Sequence, residues 1–219
     1  MADIETLQQI AAQLRQPQGE KGLEMAAMMH QSNWPMTKHC IDLLQLDAKQ
    51  HILELGHGNA AHLDYLLKQQ AHLYYEGLEI SELMYEEAQH LNHTAIMKQQ
   101  AHFQCYDGFT LPFTSATFDR IFSVNSIYFW QQPKAFLQAL GDLLKPQGLI
   151  NLTFADKTFM QTLPFTQFNF ELYDLEQLQT LAESSNLFIQ QHTAAQDQVK
   201  SKAGDWVNRH FLTVTLYKK

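Results

Sequence analysis

The sequence predicts an α/β protein, a three-layer sandwich in which a mostly parallel sheet of seven strands lies between helices and follows a helical extension. From residue 51 onward, short apolar runs alternate with segments of helical periodicity, and this alternation is typical of right-handed crossovers in a parallel sheet. No helical pattern separates the last two apolar runs. We therefore expect these two runs to form a hairpin, which makes the final strand antiparallel.

The length and composition predict a single globular domain. A chain of 219 residues is long enough for one full hydrophobic core with an appendage. We place a helical N-terminal extension at 1–48 and the sheet-containing core at 49–219. Hydrophobic residues make up 45% of the chain and charged residues 17%, which is typical of globular proteins.

The charge balance and the apolar runs argue against a nucleic-acid partner and against a membrane span. The 23 acidic and 15 basic residues give a formal net charge of −8, which disfavours a nucleic-acid partner because such a partner requires a basic surface. No apolar run approaches the ~20 residues that cross a bilayer, and residues 1–16 lack the apolar stretch of a signal peptide. We expect a soluble, cytoplasmic protein, a monomer or a homodimer, with no nucleic-acid partner and no membrane span.

Three helices are predicted before the first strand. Apolar residues recur at helical spacing over 4–14, and the proline and glycine that follow end this helix. A second helix is predicted over 22–30 and a third over 35–46, with Pro35 in its first turn. In this position the three helices are expected to serve either as a lid over a ligand or as plain helix packing.

The elements of the core follow in alternation. The predicted strands are 51–55, 72–80, 102–106, 118–124, 148–154, 187–191 and 211–217. The predicted helices include Leu63–Leu67, a segment capped by Ser81, 133–144 and 175–184. The first strand is a short apolar run bounded by glycine, as expected for a buried parallel strand.

A glycine turn follows the first strand. Gly56 permits a tight turn, and Gly58 removes a side chain where a ligand approaches the backbone. Such turns also occur at strand ends that bind nothing, so the pattern alone is ambiguous. Glu79 stands at the end of the second strand, 23 residues after Gly56 (79 minus 56), where an acidic side chain accepts the ribose hydroxyls of an adenosine cofactor.

Glu54, two residues before Gly56, distinguishes between two classes of cofactor. A dinucleotide places its pyrophosphate at this turn, and the carboxylate of Glu54 would repel it. S-adenosylmethionine instead carries a cationic sulfonium and an amino group, which a carboxylate attracts. The electrostatics therefore favour S-adenosylmethionine, which becomes S-adenosylhomocysteine after transfer, over a nicotinamide dinucleotide.

Four segments resemble, in order and spacing, the motifs of class I S-adenosylmethionine-dependent methyltransferases, most of all the small enzymes related to ubiquinone and menaquinone biosynthesis. The segments are HILELGHGNAAHLDYLL, LEISELMYEEA, YDGFTLPFTSATFDRIFSVNSIYFW and LLKPQGLINLTF. The resemblance covers about 51–154 and implies a Rossmann-like sheet. Two departures occur at small structural positions, where Ala60 and Gln147 replace frequent glycines, and His57 fills a variable position, as a ligand contact or an exposed side chain.

The resemblance implies roles at the methionine end of the cofactor. Gly56, Gly58 and Asn59 would contact its methionine and ribose portions. Ser123 and Asn125, at the end of the fourth strand, would face the methionine end and the acceptor.

It also implies roles at the adenosine end. Glu79 would bind the ribose hydroxyls, and Ile80 would pack on the adenine ring. Asp107 would accept the adenine amino group, with Tyr106 or Gly108 lining the ring.

Methyl transfer from a sulfonium needs alignment and exclusion of water more than a nucleophilic side chain. His30 is the candidate general base, although a lone histidine is more often structural. Tyr128 is the second catalytic candidate, since Tyr128, Phe129 and Trp130 either wall the acceptor or pack beneath the next helix. No metal site is predicted, because His90 and His93 lack a third ligand.

The sequence thus predicts a methyltransferase that acts on a small-molecule acceptor. Three alternatives stay open. The protein binds the cofactor without transfer, it methylates a protein or peptide, or it is a nicotinamide-linked oxidoreductase.

Overall fold

The computed structural model describes residues 3–200 and 206–219, which form one seven-stranded sheet with helices on both faces. The strand order is β3-β2-β1-β4-β5-β7-β6. The strands are β1 (His51–Leu55), β2 (Tyr74–Glu79), β3 (Ala101–Cys105), β4 (Phe118–Val124), β5 (Leu144–Ala155), β6 (Leu187–Lys200) and β7 (Trp206–Lys218). The predicted Rossmann-like fold class is confirmed.

The helices lie between the strands and before them. They are α1 (Ile4–Arg15), α2 (Gly19–Asp42), α3 (Leu63–Leu67), α4 (Glu82–Leu91), α5 (His93–Met97), α6 (Pro133–Leu143), α7 (Lys157–Met160) and α8 (Leu175–Ser184). Two 3₁₀ turns cover Ile127–Phe129 and Pro164–Gln167. Within the described residues, no helix is both long and apolar enough to cross a bilayer.

The pairing of the strands sets the position of the site. β1 pairs in parallel with β2 on one side and with β4 on the other, so the chain order reverses at β1. Ligands of open parallel sheets bind outside the carboxyl ends of the strands at such a reversal. β7 is antiparallel to both β5 and β6, which confirms the predicted antiparallel last strand.

Alternation along the strands produces a core on each face of the sheet. In β1, Leu53 belongs to the core that faces α6 and α8, and Ile52 belongs to the opposite core with α2 and α3. Both side chains are fully buried. A strand that is buried on both faces needs this continuous apolar run, as the sequence showed.

The two predicted helices at 22–30 and 35–46 are one continuous helix, so that prediction is wrong. α2 runs through Pro35, which removes one hydrogen bond of the helix. Tertiary contacts outweigh this local cost, because Met36 is fully buried and Trp34 packs edge-on against Tyr65 of α3 at 5.3 Å.

Other boundaries differ at the end of the core. β5 begins at Leu144 instead of Gly148, because this entry to the strand continues the pairing with Phe118 of β4. The arms of the final hairpin are longer than predicted, and their outer pairs run to Lys200 opposite Trp206. The outer parts of the arms were not predicted as strands because they are rich in polar residues, and half of their side chains face solvent.

Candidate active site

A cleft opens at the carboxyl ends of β1, β2 and β4, beneath α2 and the α1–α2 connection. It encloses about 1150 Å³ including its open mouth. Its walls hold eleven of the predicted site residues: His30, Glu54, Gly56, Gly58, Asn59, Glu79, Ile80, Tyr106, Asp107, Gly108 and Asn125. Side chains distant in sequence thus meet at one sheet edge.

The glycine turn forms the floor of the cleft. Gly56, Gly58 and Ala60 all adopt positive φ, at 70°, 58° and 47°. A side chain at Gly58 would meet no other atom within 4 Å, so its backbone faces open space. Ala60 thus adopts the left-handed conformation that favours glycine.

Glu79 bridges the end of β2 and the glycine turn. Its carboxylate accepts hydrogen bonds from the backbone N–H groups of Gly58 (2.9 Å), Ile80 (2.8 Å) and Ser81 (3.0 Å). The side chain is only 5% exposed. Burial raises the pKa of Glu79 to about 7, against the opposing effect of the three N–H donors.

A buried polar cluster lies beneath the turn. Glu54 Oε2 accepts a hydrogen bond from the Tyr75 hydroxyl at 2.5 Å and lies 2.7 Å from Nε2 of His62. Burial raises the pKa of Tyr75 well above its usual value, so the phenol remains a donor. Glu54 and His62 both line the cleft.

His57 is buried beneath the turn. Of the two alternatives predicted for this side chain, the exposed one is therefore wrong. Its Nδ1 donates to the carbonyl of Gly58 at 2.7 Å, whereas Nε2 is buried with no hydrogen-bond partner. Burial lowers the pKa of His57 to about 4, so the ring is neutral at pH 7. The ring occupies space that Gly77 of β2 leaves free, since a Cβ there would lie 2.7 Å from His57 Cδ2.

The side of the cleft formed by the ends of β2 and β3 has an apolar wall and a polar rim. Ile80 and Tyr106 line it, and the backbone of Gly108 passes close to Ile80. Asp107 is exposed, and its carboxylate accepts the backbone N–H groups of Phe109 and Thr110. These bonds and the Thr110 hydroxyl hold the pKa of Asp107 low.

On the opposite side of the cleft, hydrogen bonds link the end of β4 to α2. The Asn125 side-chain amide donates to Asn33 Oδ1 at 3.2 Å, and its carbonyl accepts the Tyr128 hydroxyl at 3.0 Å. Asn33 Oδ1 also accepts from Arg209 of β7 at 3.2 Å. Arg209 forms a buried, two-bond ion pair with Asp197 of β6.

Two predicted site residues, Ser123 and Tyr128, lie behind the residues that line the cleft. Ser123 is buried and donates to the carbonyl of Leu55 at 2.8 Å. Tyr128 is 4% exposed, and its hydroxyl donates to Asn125 and to the carbonyl of Ala155. Neither side chain lines the cleft in this conformation. Both hold the loop after β4, which carries Asn125.

The N-terminal extension covers the cleft. Gln16 donates to the carbonyl of Ile80 at 2.8 Å, and the Ser81 hydroxyl donates to the carbonyl of Pro17 at 2.6 Å. Met29 and His30 of α2 line the cleft beneath this cover. His30 is half-buried, and burial followed by the neighbouring His62 lowers its pKa.

Aromatic residues complete the wall on the α2 side. Phe129 and Trp130 line the cleft. Phe170 packs against Phe129 with ring centroids 4.6 Å apart, and Trp130 packs edge-on against Phe136 of α6. The aromatic segment after β5 therefore supports Phe129 from behind.

Sequence reasoning missed His62 and Arg209. His62 stands eight residues after Glu54, and Arg209 lies just before the predicted strand at 211–217. No local pattern marks either residue, because each acquires its partner only when separate elements pack together.

Comparison with known proteins agrees with this geometry. The family described as a methyltransferase domain matches residues 53–152, which contain the glycine turn, Glu79, Asp107 and Asn125. This part of the chain is similar to methyltransferase domains. An O-methyltransferase, resE of Aspergillus sclerotiorum, is 24% identical to it over 193 residues, 84% of this chain and 70% of the relative.

Solved structures show how widely the fold of this chain is shared. A complex of the Haloferax volcanii Trm112 activator with a methyltransferase matches with a TM-score of 0.74 at 15% identity, over 87% of this chain and 92% of that one. Phosphoethanolamine N-methyltransferase 2 of Haemonchus contortus, bound to S-adenosylhomocysteine, matches with 0.65 at 15% identity, over 84% and 53%. The cyclase SpnF matches with 0.68 at 16% identity, over 86% and 82%. Fold similarity at these identities leaves the reaction open.

Proposed function

We propose that the protein binds S-adenosylmethionine in this cleft and transfers its methyl group to a hydroxyl group of a small molecule. The observation that carries the proposal is the placement of Glu79 beside Gly58 on the floor of a covered cleft. A carboxylate in this position accepts ribose hydroxyls, and an open glycine backbone lets the ligand approach.

The charges in the cleft suit a sulfonium cofactor. Three acidic residues line the cleft, Glu54, Glu79 and Asp107, and Arg15 is the one lysine or arginine among the lining residues within the described chain. A diphosphate would meet carboxylates here, whereas the sulfonium and amino group of S-adenosylmethionine are attracted. The bound cofactor would supply a methyl group on an excellent leaving group.

The cover favours a small acceptor over a protein side chain. The hydrogen bonds of Gln16 and Ser81 hold the α1–α2 connection over the cleft. The walls near Asn125 carry Met29, Phe129 and Trp130, which form a mostly apolar surface. A basic peptide would need an open acidic groove, and two of the three acidic residues that line the cleft, Glu54 and Glu79, are buried.

The acceptor atom is inferred to be oxygen. An O-methyltransferase of Aspergillus sclerotiorum is a curated relative, and two histidines, His30 and His62, line the cleft. A hydroxyl acceptor needs a base at neutral pH, and histidine supplies one.

Calorimetry tests the cofactor. S-adenosylmethionine and S-adenosylhomocysteine are expected to bind, NAD is not, and Glu79→Ala is expected to weaken binding at least about tenfold, since charge-assisted hydrogen bonds contribute about 1.5–3 kcal/mol each. Binding of NAD alone would refute the proposal. A turnover screen over phenols, amines and thiols, read as S-adenosylhomocysteine release, then separates an enzyme from a protein that only binds the cofactor.

A further inference from the structure

We propose that His62 is the general base of the reaction and that Glu54 positions it. The inference rests on the proposed function, since it names the residue that removes the proton of the hydroxyl acceptor.

The two nitrogens of the His62 ring have different surroundings. Nε2 lies 2.7 Å from Glu54 Oε2. Only N–H donates to a carboxylate, so Nε2 carries a proton, and in the neutral ring Nδ1 has the free lone pair. Nδ1 forms no hydrogen bond within residues 3–200 and 206–219. Because His62 lines the cleft, this lone pair is available to a bound acceptor.

Buried neighbours hold the His62 ring in place. The Glu54 and His62 side chains are 3% and 6% exposed, and the Tyr75 hydroxyl donates to the same Glu54 oxygen at 2.5 Å. A buried carboxylate on one ring nitrogen fixes the tautomer and stabilises the imidazolium that forms when the other nitrogen takes a proton. Base and orienting group are thus both in place.

The proton and electron balance is simple. The acceptor hydroxyl gives its proton to His62 Nδ1 while its oxygen forms a bond to the methyl carbon. The electron pair of the broken carbon–sulfur bond stays on sulfur, which leaves as a neutral thioether. The imidazolium then releases its proton to water, and Glu54 keeps its charge throughout.

His30 is the rival base in the same cleft. The described residues supply it with no carboxylate partner, and its ring packs near Trp34 at 6.2 Å. Glu54 of β1 contacts His62 directly, and the Tyr75 hydroxyl of β2 donates to the same Glu54 oxygen. His30 of α2 and His57 of the glycine turn interact with His62 electrostatically. Of the two histidines that could act as the base, only His62 has a carboxylate partner among the described residues.

Kinetics and calorimetry of His62→Gln test the proposal, with His90→Gln on the exposed face of α4 as the matched control. The acceptors are phenols of graded acidity. We expect kcat to fall about 100-fold or more, as for loss of a general base, with the largest loss for the least acidic phenol. We expect the Kd of S-adenosylhomocysteine to stay within about threefold. A kcat within about threefold of wild type overturns the proposal, and so does an equal loss of cofactor affinity, which would place His62 in the cofactor site.

Nitrogen NMR of the His62 ring supplies a readout that needs no turnover. The wild-type protein is expected to show a protonated Nε2 and an unprotonated Nδ1. A ring protonated at Nδ1 overturns the proposal even if no phenol is methylated. Absence of S-adenosylhomocysteine binding in wild type would instead refute the proposed function.

Discussion

At the residue scale, the site depends on two buried ionisable groups whose surroundings differ. Glu79 lies under three N–H donors at the mouth of the glycine turn, and its pKa is raised to about 7 because burial outweighs those donors. His57 lies deeper, and burial keeps it neutral. The carboxylate therefore titrates in the physiological range, whereas the imidazole does not.

Cofactor affinity is expected to depend on pH through Glu79. The ionised carboxylate accepts ribose hydroxyls and attracts a cationic ligand, and these interactions weaken when it is protonated. The affinity for S-adenosylhomocysteine should therefore fall as pH decreases through about 7, by roughly tenfold per pH unit below the pKa. Calorimetry between pH 5.5 and 8.5 measures this, and Glu79→Gln, which cannot titrate, should flatten the profile. An unchanged profile in that variant would assign the titration to another group.

The packing of His57 against Gly77 gives a second prediction at this scale. Gly77→Ala places a Cβ 2.7 Å from His57 Cδ2 and 3.0 Å from Phe103 Cδ1. We expect a loss of about 1–3 kcal/mol in the free energy of unfolding, as for overpacking of a core. In a double-mutant cycle with His57→Ala, measured by urea unfolding, part of this loss should disappear. Strictly additive losses would show that the two residues do not share the space.

At the element scale, the final hairpin holds the helix that covers the cleft. Arg209 of β7 pairs with Asp197 of β6 and also donates to the carbonyl of Ser32 at 2.7 Å and to Asn33 at 3.2 Å. Asn33 in turn contacts Asn125. A chain of hydrogen bonds thus runs from the hairpin through α2 to the end of β4.

Removal of Arg209 should therefore loosen this arrangement. Arg209→Met leaves the carboxylate of Asp197 buried without a partner, and such a change costs about 3–5 kcal/mol in the free energy of unfolding. The double variant Arg209→Met with Asp197→Leu should recover part of it. Urea unfolding measures the loss, and hydrogen exchange over residues 29–37 should become faster. Unchanged exchange there would show that α2 is held without the hairpin.

At the scale of the whole molecule, the cleft lies between the edge of the sheet and the N-terminal extension. Its floor comes from residues 54–59 and its cover from residues 14–37. Gln16 and Ser81 join the two parts directly. A ligand in the cleft therefore contacts both.

S-adenosylhomocysteine is expected to stabilise the whole protein. A ligand present at about 100 times its Kd contributes about 2.7 kcal/mol to the free energy of unfolding, so Tm should rise with ligand concentration. Hydrogen exchange should slow in both 54–59 and 14–37. NAD at the same concentration is the control, and equal protection by NAD would contradict the assignment of the cofactor.

The sequence predicted which residues of the glycine turn and the strand ends line the cleft, because each of them follows or ends a strand with a clear apolar run. Gly56 and Gly58 stand after β1, Glu79 ends β2 and Asn125 follows β4. Parallel strands bring these ends to one edge. The placement of Tyr128 could not be predicted, because only packing decides which member of an aromatic run faces the cleft.

The N-terminal extension shows the opposite case. Pro35 predicted the start of a new helix, and the burial of Met36 overrode that local signal. In the hairpin, Arg209 is buried because Asp197 lies beside it and pairs with its charge. The local sequence around Arg209 does not indicate this partner. Both outcomes depend on contacts between residues far apart in the chain.

By itself, the sequence determined a mostly parallel α/β sheet with an antiparallel last strand, the position of its glycine turn and the acidic residue at the end of β2, since these follow from local periodicity and from the rules of parallel sheets. Only the tertiary structure decided what covers the cleft, which histidine has a carboxylate behind it and which predicted residues lie behind the wall. Those features come from the packing of α2, the hairpin and β1 against one another, and no local pattern encodes the meeting of distant side chains.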